Sequence, residues 1–175
     1  MVGLRLVPVL IALAVLLAGL YGAIHNQISY TVGPDYFHAL KFIQFGIPPE
    51  YQNRIGAAIV GWYASWWMGL IIGAPIALLS LALPTPRAMI RAFLRAVLIV
   101  LAVALALGSI SLMLSLPEGL REIIPIPAGV SDETGFIRAA VMHEISYGAG
   151  LVGLVLGLVV TGGSIKAARR PAEKK

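Results

Sequence analysis

The chain has 175 residues, of which 59% are hydrophobic and 12% are charged, and its mean hydropathy is +0.90. A soluble domain is about half apolar and about a quarter charged, so this composition excludes an ordinary cytosolic domain, a disordered chain and a fibrous protein. The net charge is +5 and cysteine is absent, which excludes disulfides, thiolate zinc sites, iron–sulfur clusters and c-type haem.

Four apolar segments are long enough to cross a bilayer, which takes about 20 helical residues. They cover about residues 4–24, 55–83, 87–116 and 132–165, with an uncharged stretch at 145–165 in the last. Tyr21 occupies a position where a signal-peptide cleavage site needs a small side chain, so we interpret the first segment as a retained helix. The sequence therefore predicts an all-α fold, a four-transmembrane-helix bundle that forms one domain over residues 1–165, followed by a basic cytoplasmic tail at 166–175.

The long loop after the first segment is aromatic and has signals for a helix. Pro34 is typical of a first helical turn, and Gly46 is typical of a helix end. The stretch between them is too short to span a membrane and too aromatic to be free in water. We expect a short interfacial helix in this first outer loop, either lying in the outer interface or folded back over the mouth of the bundle. The second segment adds a predicted aromatic belt of Trp62, Tyr63, Trp66 and Trp67.

The placement of lysine and arginine predicts the orientation. Arg87, Arg91 and Arg95 follow the short loop between the second and third segments, and the C-terminal tail is also basic. The first outer loop is neutral, whereas the third loop, which includes Glu118, is acidic. We therefore expect a bacterial inner-membrane protein with both termini in the cytoplasm. The three arginines also suit an anionic lipid head group, but we favour the topological interpretation. The expected partner is the lipid bilayer, and we expect no nucleic acid.

Polar residues concentrate at the predicted outer ends of the helices. His25 begins the stretch HNQISY, which ends at Tyr30, and His143 begins the similar stretch HEISY, which ends at Tyr147. His38 lies in the interfacial segment. All three histidines are therefore expected at one end of the bundle, where ionisable residues usually face an interior cavity.

Imidazole and carboxylate groups together suit a divalent metal such as Zn, Fe, Mn or Cu. The candidate metal ligands are His25, His38, His143 and Glu144, with Asp35 or Glu50 as alternatives for the carboxylate. A b-type haem held by His25 and His143 is an alternative cofactor.

Other roles at this end depend on tyrosine and on the same carboxylate. Tyr30 and Tyr147 are candidate cofactor-binding residues, since they can orient ligands. If the protein is an enzyme, which the sequence leaves open, Glu144 is the candidate catalytic acid or base, because a partly buried carboxyl group suits proton transfer near neutral pH.

A purely structural role explains the same residues, because membrane interfaces favour His, Tyr and Trp and no local metal motif is present. Two functions therefore stay open. One is an outward-facing His/carboxylate/Tyr site. The other is a non-enzymatic accessory or assembly subunit that binds a partner membrane subunit, or a second copy, through its aromatic and glycine faces. Gly69 and Gly73 form a GxxxG pair that predicts close helix packing. A channel is disfavoured, because Ser80, Thr161 and Ser164 are the inner polar residues.

Two stretches of the sequence carry a resemblance. Residues 25–37, with the sequence HNQISYTVGPDYF, continue into Lys41-Phe42 and Gln44-Phe45. This stretch resembles a segment of small, uncharacterised bacterial membrane proteins with four helices. His143 with Ser146 and Tyr147 resembles a second block of such proteins. Together the blocks cover about a fifth of the chain. The resemblance implies no established activity, but it points to the outer end as the functional part.

Overall fold

A computed structural model describes residues 2–117 and 119–170, so the predictions for Glu118 and for residues 171–175 of the tail lie outside the described residues. Its long helices are α1 (Val2–Val32), α2 (Arg54–Ser80), α3 (Pro86–Ser111) and α4 (Glu133–Ala168). Each contains an apolar window long enough to cross a membrane, and the described part of the chain contains no strand. The predicted all-α fold of four membrane-spanning helices is confirmed.

The helices form two tightly packed antiparallel pairs, α1 with α2 and α3 with α4. Glycine sets the distance in the first pair, because a Cβ atom on Gly22 would lie 2.1 Å from the carbonyl oxygen of Gly61. Gly153 meets the backbone of Val100 in the second pair, where a Cβ atom would lie 2.8 Å from the Val100 Cα. Contacts between the two pairs are sparser. The seam between the pairs is therefore the place where a cavity can form.

The GxxxG pair of α2 also packs inside the chain, as its spacing predicts. A Cβ atom on Gly69 would lie 2.5 Å from the Cα of Val15, and one on Gly73 would lie 2.4 Å from the Cβ of Ala14. Within lipid there is no hydrophobic driving force for helix association. The close approach of α1 and α2 therefore stabilises the pair through dispersion contacts. Both glycines therefore pack against α1 within the bundle.

The interior has three layers along the helix axes. An inner core is built from aliphatic residues, Met89 and Phe93, and an outer core is built around Tyr36, Phe37, Phe42 and Phe136. Between the two cores lies a layer of buried polar side chains: His25, Asn26, Ser29, Ser111, His143 and Ser146. In the inner half, the hydroxyls of Ser80 and Thr161 donate to carbonyls of their own helices, so neither extends the polar layer inward.

Hydropathy misplaces two helix ends. The first apolar segment ends at about residue 24, but α1 continues to Val32, because the first residues that oppose a helix are Gly33 and Pro34. The polar residues after 24 remain helical because they find partners inside the bundle. The third segment was expected to reach 116, whereas α3 ends at Ser111, whose hydroxyl donates to the carbonyl of Gly108. His25 consequently lies within α1 and not after it.

The loop between α1 and α2 folds back over one end of the bundle. It contains the short helix that the sequence predicts, at residues 34–44, which we call the loop helix. The loop helix consists of an α-helical turn at Pro34–Tyr36, a π-helical turn at Phe37–Lys41 and an α-helical turn at Phe42–Gln44. Phe37 and Phe42 are 0% exposed, so this helix packs as part of the core. Gly46 ends the segment with a φ of +61°, a conformation that favours glycine.

A carboxylate ties the loop helix to α4. Asp132 caps α4 by accepting a hydrogen bond from the Gly135 N–H, and Asp35 supports the same turn from outside. One oxygen of Asp35 accepts from the Asp132 N–H at 2.9 Å, the Ser131 hydroxyl at 2.8 Å and the Ser131 N–H at 2.7 Å. These donors favour the charged form, so they lower the pKa of Asp35. The contact is therefore strongest when this carboxyl group is ionised.

This contact predicts a defined acid sensitivity. Because the pKa of Asp35 is lower in the folded state, its stabilisation is present above the ordinary value of about 4 and is lost as the pH falls through the lowered value. We expect Asp35→Asn to lower the thermal unfolding midpoint at pH 7 and to flatten its decline between pH 7 and pH 3. Glu50→Gln is the matched control in the same loop. Equal pH profiles for Asp35→Asn and the wild type would contradict the assignment.

Candidate functional site

A chain of buried hydrogen bonds connects α2, α1 and α4 in the polar layer. The Asn26 side-chain amide donates to the Ala57 carbonyl at 2.9 Å, and its Oδ1 lies 3.0 Å from Nε2 of His143. Nδ1 of His143 lies 2.7 Å from the Ala139 carbonyl, one turn back on α4. The helical spacing of 139 and 143 puts this carbonyl within reach of the imidazole. His143 is thus held at both ring nitrogens.

The second histidine joins the same network from α1. Nε2 of His25 lies 2.9 Å from the Ser146 hydroxyl, and its Nδ1 lies 3.4 Å from Oδ1 of Asn26. The imidazole rings of His25 and His143 meet edge to face, with their centroids 5.0 Å apart. Both histidines are buried. The structure therefore brings together two of the three predicted histidines, on adjacent helices from different helix pairs.

A cavity of about 70 Å³ adjoins this network in the seam between the helix pairs. Its polar end is formed by two histidines, two tyrosines, Asn26 and two serines, and its other walls are apolar. The lining includes Tyr21, Ser65, Ala104, Ser146 and Tyr147. The lining contains no aspartate or glutamate. The cavity wall is therefore mostly apolar, and its polar groups are hydroxyl, amide and imidazole groups with no carboxylate among the described residues.

The two tyrosines of the cavity differ in their hydrogen bonding. The Tyr147 hydroxyl donates to the Ala64 carbonyl at 3.1 Å, so this predicted residue is already paired. The Tyr21 hydroxyl is buried and makes no hydrogen bond of good geometry among the described residues, although the Ser146 hydroxyl lies near it. A buried, unpaired hydroxyl is costly. Tyr21 is consequently the group in this cavity that most needs a bound water or solute.

The third histidine belongs to a separate, exposed cluster. Nε2 of His38 lies 3.1 Å from the Tyr30 hydroxyl, and the guanidinium of Arg54 lies over the Tyr30 ring. Arg54 also donates to the Thr31 hydroxyl and to the Gln27 carbonyl. The prediction that all three histidines gather in one site is therefore met by His25 and His143 but not by His38, and Tyr30 lies with His38.

Glu144 faces away from the histidine network. It is exposed, and it lines a surface groove together with Tyr36 and Lys41 of the loop helix. Burial lowers the pKa of Lys41, and the nearby Glu144 carboxylate partly opposes that shift. Burial also raises the pKa of Tyr36, with a smaller contribution from Glu144 in the same direction. The alternative carboxylates are elsewhere, since Asp35 supports the start of α4 and Glu50 is exposed in a 3-10 turn.

The predicted ligands do not come together as a metal centre. Within residues 2–117 and 119–170, no group of three or more His, Asp or Glu side chains is placed to hold a metal ion. The haem alternative also lacks space, because the rings of His25 and His143 are in direct contact and leave no room for a porphyrin between them. What the residues form instead is a hydrogen-bonding site with imidazole, amide and hydroxyl groups.

The sequence-based prediction missed Tyr21 and Asn26. Tyr21 follows from helical geometry once α1 is extended to Val32, because Tyr21, His25 and Ser29 are spaced at i, i+4 and i+8 and share one face, whereas the same extension only places Asn26 within the helix. Asn26 lies next to this face and reaches α2 and α4. A helix drawn to its first real breaker, instead of to the end of its apolar run, would have identified Tyr21.

No protein-family model, curated protein or solved structure matches this chain. The resemblance of residues 25–37 to small bacterial membrane proteins therefore stays a prediction. The four apolar helices identify a small integral membrane protein, and any finer statement depends on the geometry of the polar layer.

Proposed function

We propose that this integral membrane protein binds a small anionic or hydrogen-bond-accepting solute, such as a short carboxylic acid, in the seam cavity. The observation that carries the proposal is the unpaired Tyr21 hydroxyl in a cavity that also contains the two buried histidines. A polar group is expensive inside a membrane bundle and usually marks a functional position. The donors Tyr21, Ser65 and Ser146, with no carboxylate among the lining residues, favour an acceptor or an anion over a cation.

The volume of the cavity limits the size of the solute. An apolar cavity of about 150 Å³ holds benzene, and a water molecule takes about 30 Å³ of liquid volume. The cavity measures about 70 Å³, which suits two water molecules or a solute of about four heavy atoms. Formate and acetate have both the size and the charge that the lining favours.

We propose that the solute enters from the outer side of a bacterial inner membrane. Three features support this orientation. Arg87, Arg91 and Arg95 are exposed near the short turn between α2 and α3, as expected for a cytoplasmic end. Gly3 lies close to Leu81 and Met89, which puts the N-terminus at this same end. The polar layer lies towards the opposite end, beneath the loop helix.

Thermal unfolding in detergent with sodium acetate, against sodium chloride at equal ionic strength, tests the proposal. A ligand at ten times its Kd stabilises the folded state by about 1.4 kcal/mol. We expect acetate to raise the unfolding midpoint of the wild type. We expect Ala104→Leu, which fills the cavity, to abolish the rise, and Tyr21→Phe to reduce it.

Ala102→Leu is the matched control, because it adds the same side chain at an exposed position on the same helix. It should keep the full response to acetate. An equal acetate response in Ala104→Leu and Ala102→Leu would show that the anion acts elsewhere and would refute the cavity as its site.

Two alternatives have less support from the geometry. A divalent metal at this site would have the imidazoles of His25 and His143 but no third histidine or carboxylate among the described residues. An accessory subunit would need free packing faces, yet Gly69 and Gly73 already contact α1. Partner helices could reach Trp66 and Trp67, which are exposed on α2, or the open glycines Gly148, Gly162 and Gly163.

A further inference from the structure

The hydrogen-bond chain through His143 needs more donated protons than neutral side chains can supply. It runs from the Ala57 carbonyl through Asn26 and His143 to the Ala139 carbonyl, with distances of 2.9, 3.0 and 2.7 Å. Both ends are carbonyl oxygens, which only accept. Three links need three donated protons. In this row the Asn26 amide donates in one direction and accepts in the other, and a neutral imidazole does the same.

The shortage does not depend on how the Asn26 amide is oriented. With its nitrogen on the Ala57 carbonyl, both nitrogens of His143 face acceptors, and a neutral ring can donate to only one of them. With the amide turned around, its nitrogen faces His143, but its oxygen then faces the Ala57 carbonyl at 2.9 Å. In either orientation one link joins two acceptors, which is unfavourable for buried groups.

We infer that this chain is a proton-binding site, in which His143 takes up a proton and becomes an imidazolium that donates to Asn26 and to Ala139. Imidazolium has two N–H donors, so every link is then complete. Hydrogen bonds from a charged donor are roughly twice as strong as neutral ones. The proton comes from water, and no other bond is made or broken.

The groups around His143 oppose and support this charge in different ways. From α1, His25 approaches its ring edge at a centroid distance of 5.0 Å. From the loop helix, the Tyr36 ring lies 5.0 Å away, and the Lys41 ammonium acts on it from farther off. From α2 and α3, the polar layer receives Ser65 and Ser111, and the other residues of these two helices that line the cavity are apolar. His25 and Lys41 are the groups near His143 that can also carry a positive charge, and each would repel a charge on its ring.

Nitrogen-15 NMR of histidine-labelled protein in nanodiscs tests this inference directly. We expect both ring nitrogens of His143 to carry a bonded proton at pH 5 and only Nδ1 to carry one at high pH. Asn26→Leu removes the middle acceptor, so His143 should then carry a single proton, on Nδ1, at pH 5. Ser146→Ala removes the partner of His25 Nε2 but no link of the chain through His143, so it should leave the doubly protonated His143 in place. His38→Gln, at an exposed position, assigns the third signal.

A wild-type His143 that carries one ring proton throughout pH 5–8 would overturn the inference. The same spectrum for Asn26→Leu and the wild type at pH 5 would also overturn it, because the extra proton would then not depend on the chain. If Asn26→Leu fails to fold, the wild-type spectrum decides alone. This inference rests on the hydrogen-bond chain and not on the proposed solute, so acetate binding can fail in the unfolding assay while the proton site stands.

Discussion

Gly61→Val is expected to disrupt the α1–α2 pair and to lower the free energy of unfolding by at least about 3 kcal/mol. A Cβ atom at this position would lie 2.1 Å from the Gly22 carbonyl oxygen and 2.5 Å from its carbon. Those are backbone atoms, so no side-chain rotation can relieve the overlap, and the cost reaches the upper part of the range for overpacking. Titration of mixed micelles with SDS, followed by tryptophan fluorescence, measures the change.

Gly148→Val is the control for this substitution. Gly148 also lies within a long apolar helix, α4, but a Cβ atom there meets nothing within 4 Å. The control should therefore unfold within about 0.5 kcal/mol of the wild type, as surface substitutions usually do. If both variants lose the same stability, the cost would come from the β-branched residue in a helix, and the close approach of α1 and α2 would not be its source.

Phe37→Ala is expected to release the loop helix from the bundle. Phe37 is 0% exposed and lies among Tyr30, Tyr36 and Phe42. Truncation of a buried phenylalanine costs about 3–5 kcal/mol, which corresponds to a rise of about 10² to 4 × 10³ in the rate of amide exchange when the opening is local. Hydrogen exchange of residues 34–46, read by mass spectrometry, measures this rise.

Ile43→Ala is the matched change in the same segment, because Ile43 is 71% exposed. It should leave the exchange of residues 34–46 close to that of the wild type. Equal exchange in the two variants would mean that the loop helix does not depend on its buried ring. Release of this segment also has a chemical consequence, since the rings of Tyr36 and Phe37 cover His143.

Much of the fold could be predicted from the sequence, because hydropathy over about 20 residues is a strong physical signal. Hydropathy predicts the four long helices, and Pro34 and Gly46 mark the ends of the loop segment. The end of α1 does not follow from hydropathy, because a hydropathy limit marks where a chain leaves lipid and not where hydrogen bonding stops. The eight residues from 25 to 32 stay helical since Asn26 and His25 find partners on α2 and α4.

The site could be predicted in part. The sequence correctly indicated that His25 and His143 lie at the same end of the bundle, and their rings are in contact. Glu144 was chosen because it is adjacent to His143, but adjacent residues on a helix point about 100° apart, and it faces the loop helix instead. Asn26 could not be recognised as the link between the histidines, because its role depends on the Ala57 carbonyl, and a backbone partner leaves no trace in the side-chain pattern.

The two helix pairs have a consequence for the order of assembly. The amide and imidazole of Asn26 and His25 belong to the half of the chain that is synthesised first, whereas His143 and Ser146 arrive on the last helix. Interhelical hydrogen bonds contribute on average about 0.6 kcal/mol each within a bilayer. The polar layer therefore joins the two helix pairs, and its hydrogen bonds between the pairs form only when α4 packs against α1. Two fragments divided in the turn after Ser80 contain complementary halves of the polar layer, and we expect them to recombine into one bundle.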